Sequence, residues 1–368
     1  MHLRHSGFFA CLAFLFLLPA LLPAQTDTLR LLFAGDIMGH LPQIESARVG
    51  AGQYDYRPCF LPIRPVLERA DLAIGNLELT LPGKGPYTGY PMFRSPNALA
   101  EALKDAGFDI LMTANNHSND SRGAGVVSTI ETLRNLGFQQ TGTFKNARER
   151  DLFYPLMVYR NGFKLAFLNY TYGTNGVPTD PPTLVNLIDT VQLARDLAEA
   201  RARKPHFIIA VMHWGLEYQL EENAEQRHLA RFLLRNGAGL VIGAHPHVVQ
   251  PIRTETVTLP DGSLKSAVVV YSLGNFISNQ QKPGTDGGIL FQVELLHRKN
   301  TPYAEVGTYG FIPVWRYVEK QAGGKSAFYS LPVKERTDIY PDLPPPAAAA
   351  MLQFAAGIRK RLRGCREL

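Results

Sequence analysis

Two histidines separated by one residue are the clearest chemical feature of this 368-residue chain. His245 and His247 follow the apolar run Gly239-Leu240-Val241-Ile242 and a glycine at position 243. Such a run predicts a buried strand that ends in a tight turn, and open α/β sheets bind ligands at the carboxyl edge of their strands. Neutral imidazole is the commonest protein ligand for first-row metal ions. A His-x-His pair alone is more often an ordinary loop or cap feature, so its meaning depends on the rest of the chain.

Four further apolar runs also end in groups that can bind a metal. These groups are Asp36 after residues 29–34, Asn76 and Glu78 after 71–74, Asn116 and His117 after 108–113, and His213 after 207–212. One such group is ordinary, because polar residues often cap turns and helices. Five groups at equivalent positions favour a shared site, large enough for two ions that share an oxygen. Mixed nitrogen and oxygen ligands suit Mn, Fe or Zn, and the lack of cysteine argues against a structural zinc site.

The elements that must position these groups alternate between strands and helices. Residues 152–159 and 163–169 predict a hairpin across Arg160-Asn161-Gly162. Helical patterns fall near 62–70, 97–106, 126–136, 185–203, 224–236 and 347–362, and later strands near 268–272, 288–296 and 304–313. This alternation predicts a layered α/β protein. We expect a main domain over residues 25–300 and a C-terminal strand and helix extension over 301–368.

The N-terminus predicts an exported protein. Basic residues precede an apolar run over residues 8–22, and Pro23-Ala24 places a small residue before Gln25. This pattern is typical of a secretory signal peptide covering residues 1–24, and the apolar run is short for a membrane span. We therefore expect a periplasmic or extracellular protein associated with the cell envelope.

The composition limits the classes of partner. A hydrophobic share of 45% with 19% charged residues predicts a packed core. The net charge is +6, but the densest basic cluster lies in the tail at residues 359–363, and no basic face is interleaved with aromatics. We therefore expect no nucleic acid as partner, whereas an acidic polymer is compatible with the charge. Without the leader only Cys59 and Cys365 remain, and their wide separation does not by itself predict a disulfide.

Six sequence strings, taken in order, resemble one known family. GDIM, GNLE, ANNHSND, HWGLE, GAHPHVVQ and YSLGNF are similar to the CapA-type poly-γ-glutamate capsule biosynthesis family, in the calcineurin-like metallophosphoesterase superfamily, over about residues 29–279. The resemblance implies a four-layer α/β sandwich, two β-sheets flanked by helices, with a dimetal site between its loops. It also implies that His117 is the catalytic imidazole and that Asp120 holds its tautomer. The implied metal ligands are Asp36, Asn76 or Glu78, Asn116, His213, His245 and His247.

Two motifs depart from the superfamily pattern. Met38 stands where phosphoesterases of the superfamily have the histidine of Asp-x-His, and His40 is a candidate replacement. Asn76 stands where they have aspartate, so Glu78 is the candidate for the bridging carboxylate. These departures predict that one metal position is weaker or that the preferred reaction differs.

The resemblance leads to two functional hypotheses. In the first, metal-activated water hydrolyses a phosphoester, or an amide bond in polyglutamate or a cell-wall polymer. Arg94 is then a candidate contact for the substrate anion, although a lone arginine is also typical of a surface ion pair. In the second, the protein is a non-enzymatic accessory that binds an anionic polymer and assists the capsule synthesis machinery.

Overall fold

The computed structural model describes residues 26–258, 262, 264–299, 301–333, 340 and 342–368. The predicted signal peptide lies outside the described residues. Within these ranges no helix combines the length and the apolar character needed to cross a membrane.

The described strands and helices alternate through most of the chain. The strands are β1 (Thr26–Ile37), β2 (Arg48–Gly50), β3 (Gln53–Tyr54), β4 (Leu72–Leu77), β5 (Ile110–Met112), β6 (Gln139–Thr141), β7 (Thr143–Phe144), β8 (Leu156–Arg160), β9 (Phe163–Thr171), β10 (Leu184–Val185), β11 (Phe207–His213), β12 (Leu240–Ala244), β13 (Ile252–Thr258), β14 (Leu264–Val270), β15 (Asn275–Ile277), β16 (Gly287–Arg298), β17 (Glu305–Lys320) and β18 (Ser326–Pro332). The α-helices are α1 (Leu41–Ala47), α2 (Arg57–Phe60), α3 (Arg64–Leu67), α4 (Ala98–Asp105), α5 (Arg122–Asn135), α6 (Ala147–Phe153), α7 (Thr190–Ala202), α8 (Ala224–Arg235) and α9 (Pro345–Arg361).

Two large sheets form the middle of the protein. In the described residues the first sheet has the order β18-β17-β16-β1-β4-β5-β6, and β15 also pairs with β1. The strands β1, β4, β5 and β6 run parallel, whereas β16, β17 and β18 are antiparallel. The second sheet has the order β13-β14-β12-β11-β9-β8, with a parallel centre and antiparallel edge strands.

The core lies between the sheets and on their outer faces. Phe33 and Phe291 of the first sheet belong to the same buried cluster as Phe167 of the second. Burial of each such ring contributes about 1.5–3 kcal/mol. The outer face of the first sheet is covered by α2, α3, α4 and α5, and that of the second by α7 and α8. The result is the expected four-layer α/β sandwich.

The C-terminal residues continue the first sheet. Strand β17 pairs with β16 along most of its length, and β18 pairs with β17. Helix α9 contributes Met351, Phe354 and Ile358 to the cluster between the sheets, together with Trp315 of β17. The segment that we expected as an extension therefore shares its hydrophobic core with the sandwich.

The hairpin across Asn161 and Gly162 has the predicted geometry, whereas the predicted starts of one strand and one helix were wrong. Both turn residues have positive φ, 47° and 80°, which suits a two-residue hairpin turn. The strand predicted from residue 152 begins only at Leu156, because helix α6 occupies the preceding residues. The Asn146 side chain caps this helix by accepting a hydrogen bond from the Glu149 N–H, a signal that the apolar pattern does not contain. Similarly, the helix predicted over 185–203 begins at Thr190, after the Asp189 cap.

Candidate metal centre

The polar strand ends meet because parallel strands of both sheets end at the same edge. In the first sheet, Asp36 of β1 lies opposite Asn76 of β4 on one side and Asn275 of β15 on the other. In the second sheet, His213 at the end of β11 lies opposite Ala244 of β12. His245 is the next residue after Ala244 and therefore lies beside His213. Each sheet thus contributes one half of the centre.

Two glycines allow the backbones to approach closely at this edge. A Cβ atom at Gly35 would lie 1.9 Å from the carbonyl oxygen of Gly274, and one at Gly243 would lie 1.9 Å from that of Tyr271. No side chain can be accommodated at such distances. Glycine is therefore required immediately before Asp36 and shortly before the His-x-His pair.

Both histidines of the pair have a strained backbone. The φ angles are 101° at His245 and 59° at His247, a region that residues other than glycine rarely occupy. Such conformations cost on the order of 1–3 kcal/mol each and cluster at functional sites. The turn is held across the two sheets by the His245 N–H, which donates to Asp36 Oδ2 at 3.3 Å. The turn places ligand atoms of both imidazoles within 4.8 Å of Glu78 of the first sheet.

One group of ligand atoms comprises Asp36, Glu78 and His213. These residues are buried, and each offers an atom within 4.8 Å of the others. His213 Nε2 lies 3.9 Å from Glu78 Oε1 and 2.8 Å from Asn116 Oδ1. Asn76 Nδ2 donates to Asp36 Oδ1 at 2.8 Å. The same nitrogen lies 3.3 Å from His213 Nδ1, so the Asn76 amide turns its NH₂ group toward these residues, and this orientation favours Glu78 over Asn76 as the candidate ligand.

A second group comprises Glu78, His245 and His247. His247 Nε2 lies 3.7 Å from Glu78 Oε1, and its Nδ1 lies 3.1 Å from Asp36 Oδ2. His245 Nδ1 is buried and has no hydrogen-bond partner among the described residues. Glu78 therefore belongs to both groups, as a bridging ligand would.

The burial and the raised pKa of Glu78 describe a carboxylate whose surroundings suit a cation. Its side chain is fully buried, and neither carboxylate oxygen has a hydrogen-bond partner among the described residues. Burial raises the pKa of Glu78 well above its usual value, and the nearby Asp36 raises it further. Burial likewise lowers the pKa of His213 well below its usual value and that of His245 to about 3. Neutral imidazoles around an unpaired carboxylate fit a divalent cation, which would compensate the buried charge.

His117 and Asp120 form a hydrogen-bonded pair beside these groups. His117 Nδ1 lies 2.7 Å from Asp120 Oδ2, and the Phe93 N–H donates to the same oxygen at 2.5 Å. The Phe93 ring packs edge-on against the imidazole, with centroids 4.6 Å apart. Burial raises the pKa of Asp120, and the interaction with His117 partly opposes this shift. The carboxylate accepts from Nδ1, so Nε2 is left for proton exchange.

A hydrogen bond between the two sheets holds the loop that carries Asn116 and His117. Asn169 of β9 accepts from the Ala114 N–H at 2.8 Å and donates to the Val211 carbonyl at 3.1 Å. Within the loop, Asn115 Nδ2 donates to the Leu77 carbonyl at 2.7 Å. These contacts fix the loop relative to β4 and β11, which carry the other ligand atoms.

Three residues singled out from the sequence lie outside both ligand groups. Arg94 follows Phe93 and is half-buried, and no carboxylate lies within ion-pair distance of it in the described ranges. The Met38 side chain is buried in the core of the first sheet. His40 Nδ1 accepts a hydrogen bond from the Asn279 N–H at 3.1 Å, and His40 is in neither ligand group. Burial lowers the pKa of His40, and His40 lies close enough to His247 and His117 for their charges to lower it further, but it is a member of neither ligand group.

Two further asparagines belong to the site. Asn275 Oδ1 lies 3.1 Å from His247 Nδ1, and its Nδ2 donates to Gln280 and to the Thr285 carbonyl. Its position in the string YSLGNF is the sequence signal that marks it as a plausible partner of a ligand, with simple capping as the alternative. Asn175 contacts both Asn116 and His117, but lies in a Gly- and Pro-rich loop whose sequence contains no pattern that predicts this position.

The fold and the ligand groups define the class of protein. A four-layer sandwich with carboxylates and imidazoles at one edge is a metallophosphatase-like fold. The solved structure of Haemophilus influenzae NAD nucleotidase (NadN) is similar, with a TM-score of 0.50 and 12% identity, over 91% of this chain and 60% of that chain. At this identity the likeness concerns the fold alone.

The sequence comparisons identify the family. Residues 30–280 match the family model described as bacterial capsule synthesis protein PGA_cap, and the chain belongs to that family. The PGA biosynthesis protein CapA of Bacillus subtilis (strain 168) is 28% identical over 286 residues, which are 73% of this chain and 68% of the relative. The capsule biosynthesis protein CapA of Bacillus anthracis is 28% identical over 287 residues, 74% of this chain and 65% of the relative. The chain thus spans about two thirds of the length of these relatives.

Proposed function

We propose that this protein is a metal-dependent hydrolase of the cell envelope that acts in capsule biosynthesis and cleaves a phosphoester, or an amide bond in an anionic polymer such as poly-γ-glutamate. The observation that carries the proposal is Glu78, a fully buried carboxylate without a hydrogen-bond partner in the described residues, placed between the imidazoles of two ligand groups. A side chain in this state is costly unless a cation binds beside it.

Two divalent ions, of Mn, Fe or Zn, fit the two groups. One would be held by Asp36, Glu78, Asn116 and His213, and the other by Asp36, Glu78, His245 and His247. Ions bound there supply Lewis-acid activation of water and neutralise negative charge on the substrate. The protein itself contributes the shared carboxylate and the fixed orientation of the imidazoles.

His117 is the proposed catalytic group and Asp120 its positioning partner. Asp120 keeps the proton on Nδ1, so Nε2 is the atom that holds or passes a proton to the leaving oxygen or nitrogen. Packing of the Phe93 ring against the imidazole fixes the direction of Nε2. The dyad therefore supplies general acid–base catalysis next to the ligand groups.

Cations near the site support an anionic substrate. Arg94 lacks a carboxylate partner in the described ranges, and Arg316 is buried, with Nη1 donating to Asn279 Oδ1 at 3.1 Å. Lys282 Nζ lies 3.6 Å from the centroid of the Tyr218 ring. The centroids of the Tyr218 and His247 rings are 6.1 Å apart. These groups suit carboxylates or phosphates. The curated relatives carry names of PGA and capsule biosynthesis, and the predicted signal peptide is consistent with action in the cell envelope.

The first test is the metal content of the purified mature protein, with turnover of a generic phosphodiester and of a γ-glutamyl oligomer under added Mn²⁺. We expect close to two ions per chain, as the two ligand groups imply, and turnover of one of the probes. The variant His247→Ala should lose turnover. His228→Ala, an exposed histidine on helix α8, is the matched control and should retain it. No bound metal and no turnover of either probe would contradict the proposed hydrolase.

A second function is an accessory protein that binds an anionic polymer without cleaving it. Met38 in place of the superfamily histidine and the names of the relatives favour this function. Its signature would be binding of polyglutamate, weakened in Arg94→Gln, with no turnover in the presence of Mn²⁺. Cleavage of the polymer by the wild-type protein would exclude it.

A further inference from the structure

The loop after strand β9 contacts the loop that carries Asn116 and His117. Asn119 Nδ2 donates to the carbonyl oxygens of Val177 and Pro178, at 3.2 and 2.5 Å. Asp180 accepts from the Gly123 N–H and pairs with Arg122. The loop is thus attached to its neighbour independently of Asn175.

Asn175 reaches the ligand groups through its side-chain amide. Its Oδ1 accepts a hydrogen bond from Asn116 Nδ2 at 3.2 Å, and its Nδ2 lies 3.4 Å from His117 Nε2. The hydroxyl of Tyr172 donates to the same oxygen at 3.4 Å. Asn175 is exposed, whereas the Asn116 side chain that it contacts is 2% exposed. A solvent-side residue therefore determines the hydrogen bonding of a buried one.

The direction of the Asn116 amide decides whether it can bind a cation. An amide has an oxygen at one end and an NH₂ group at the other, and a flip of 180° exchanges them. In the observed orientation Asn116 Oδ1 lies 2.8 Å from His213 Nε2, so that both atoms face the same group. The opposite orientation would present NH₂ to the cation and would leave Asn175 Oδ1 facing an oxygen. Because the Asn175 NH₂ group faces His117 Nε2, its Oδ1 faces the NH₂ group of Asn116. This hydrogen bond favours the orientation in which the Asn116 oxygen points toward His213.

We propose that Asn175 is a positioning residue for metal binding, which holds the oxygen of the Asn116 amide toward the group that contains His213. This inference rests on the proposed metal site, and it adds a residue of the loop after β9 that is not among the proposed ligands. Partners of this kind typically change metal affinity about 10–100-fold when they are removed. Because Tyr172 can replace part of the contact, we expect the lower end of this range.

The backbone of Asn175 allows a substitution that removes only the side chain. Its φ is 51°, in the left-handed region where glycine is unstrained and where asparagine and aspartate are tolerated. Asn175→Gly therefore removes the amide and preserves the loop. Asn175→Asp keeps an oxygen that accepts from Asn116 but lacks the NH₂ group that faces His117. Asn161→Gly in the β8–β9 hairpin is the matched control, at φ 47° and outside the ligand groups.

The experiment is a direct Mn²⁺ titration of the mature protein and the three variants, with thermal unfolding in EDTA to compare the apo forms. We expect Mn²⁺ affinity to fall about tenfold in Asn175→Gly. It should remain at or above the wild-type level in Asn175→Asp and unchanged in Asn161→Gly. Wild-type affinity in Asn175→Gly, or an equal loss in Asn175→Asp, would overturn the inference. No Mn²⁺ binding by the wild-type protein would instead refute the proposed metal site.

Discussion

Strand β11 has a histidine at each end, and only one of them belongs to the candidate metal centre. His213 closes the strand at the ligand groups, and His206 precedes it at the opposite edge of the sheet. Both imidazoles lie close to another one: the His213 and His245 centroids are 4.8 Å apart, and those of His206 and His297 only 4.0 Å. We call His206 and His297 the distal pair. By ring distance alone, this pair would be the better candidate for a metal site.

The two pairs differ in what their nitrogens contact. His206 Nδ1 accepts from the Lys164 N–H at 3.2 Å, and His297 Nε2 lies 2.9 Å from the Thr301 carbonyl oxygen. At the other edge, His213 faces Glu78, whose oxygens have no hydrogen-bond partner in the described residues. One ring nitrogen of each histidine in the distal pair is thus hydrogen-bonded to a backbone group. An unpaired carboxylate among imidazoles, rather than the proximity of two rings, distinguishes the candidate site.

The largest effect is expected for Glu78→Gln, because Glu78 belongs to both ligand groups. Loss of its charge should lower Mn²⁺ affinity at least about 100-fold. In EDTA the same change should raise the free energy of unfolding by about 1–3 kcal/mol, because it removes a buried, unpaired acid beside Asp36. Urea unfolding with and without Mn²⁺ measures both effects.

Glu222→Gln provides the matched control for this substitution. Glu222 is also buried, but it pairs with Arg253 at 2.7 Å. Glu222→Gln removes the charge that pairs with Arg253, so it should destabilise the protein and leave Mn²⁺ affinity unchanged. A Glu78→Gln protein that is less stable than wild type in EDTA would show that the carboxylate has a partner after all.

The next largest effect is the contrast between His213→Ala and His206→Ala, at the two ends of one strand. His213 belongs to one of the two ligand groups, so its loss should weaken Mn²⁺ binding about 10–100-fold. Mn²⁺ at 100 times the dissociation constant should stabilise the wild type by about 2.7 kcal/mol. His206→Ala should keep this stabilisation in full, and His213→Ala should lose about half of it or more. Thermal unfolding at a series of Mn²⁺ concentrations gives both values.

Equal losses in the two variants would contradict the distinction between the two edges. They would indicate that either substitution disturbs β11 as a whole. Unfolding of both variants in EDTA separates this outcome from a specific loss of metal binding.

The edge that carries the ligand groups could be predicted from the sequence, because the relevant signals are local. Apolar runs that end in Asp36, Glu78 and His213 predict strands, and parallel strands bring such ends to one side of a sheet. The prediction that the strand ends of two sheets meet at one site rested on the family resemblance, because no local pattern in the sequence describes how separate sheets pack. The metal roles of these residues remain predictions that the titrations above test.

The remaining parts of the site depend on contacts distant in sequence. His40 and Asn279 are hydrogen-bonded across 239 positions, and His40 is in neither ligand group. Asn175 contacts Asn116 across 59 positions, and the two residues lie in loops that follow strands of different sheets. No spacing in the sequence specifies such contacts, so the replacement role considered for His40 could be judged only from the structure.

The smallest effect is expected at the distal pair, as a change in the pH dependence of stability. Burial lowers the pKa of His206, and repulsion from His297 and Lys164 lowers it further. Since the folded protein binds this proton less readily than the unfolded chain, the contribution of His206 to stability is complete above pH ~6.5 and falls as the pH drops toward the folded pKa. The ring is partly exposed and screened by water, so the difference should stay near 0.5 kcal/mol or below.

His206→Asn keeps an acceptor for the Lys164 N–H and removes the titration. Urea unfolding in EDTA between pH 7.5 and 5 should therefore show the variant losing less stability than the wild type. The acid sensitivity of the ligand histidines is common to both proteins and cancels in this difference. A steeper loss in the variant would mean that His206 is stabilised in its charged form, and the distal pair would then differ from the metal centre in the sign of its electrostatics as well as in its contacts.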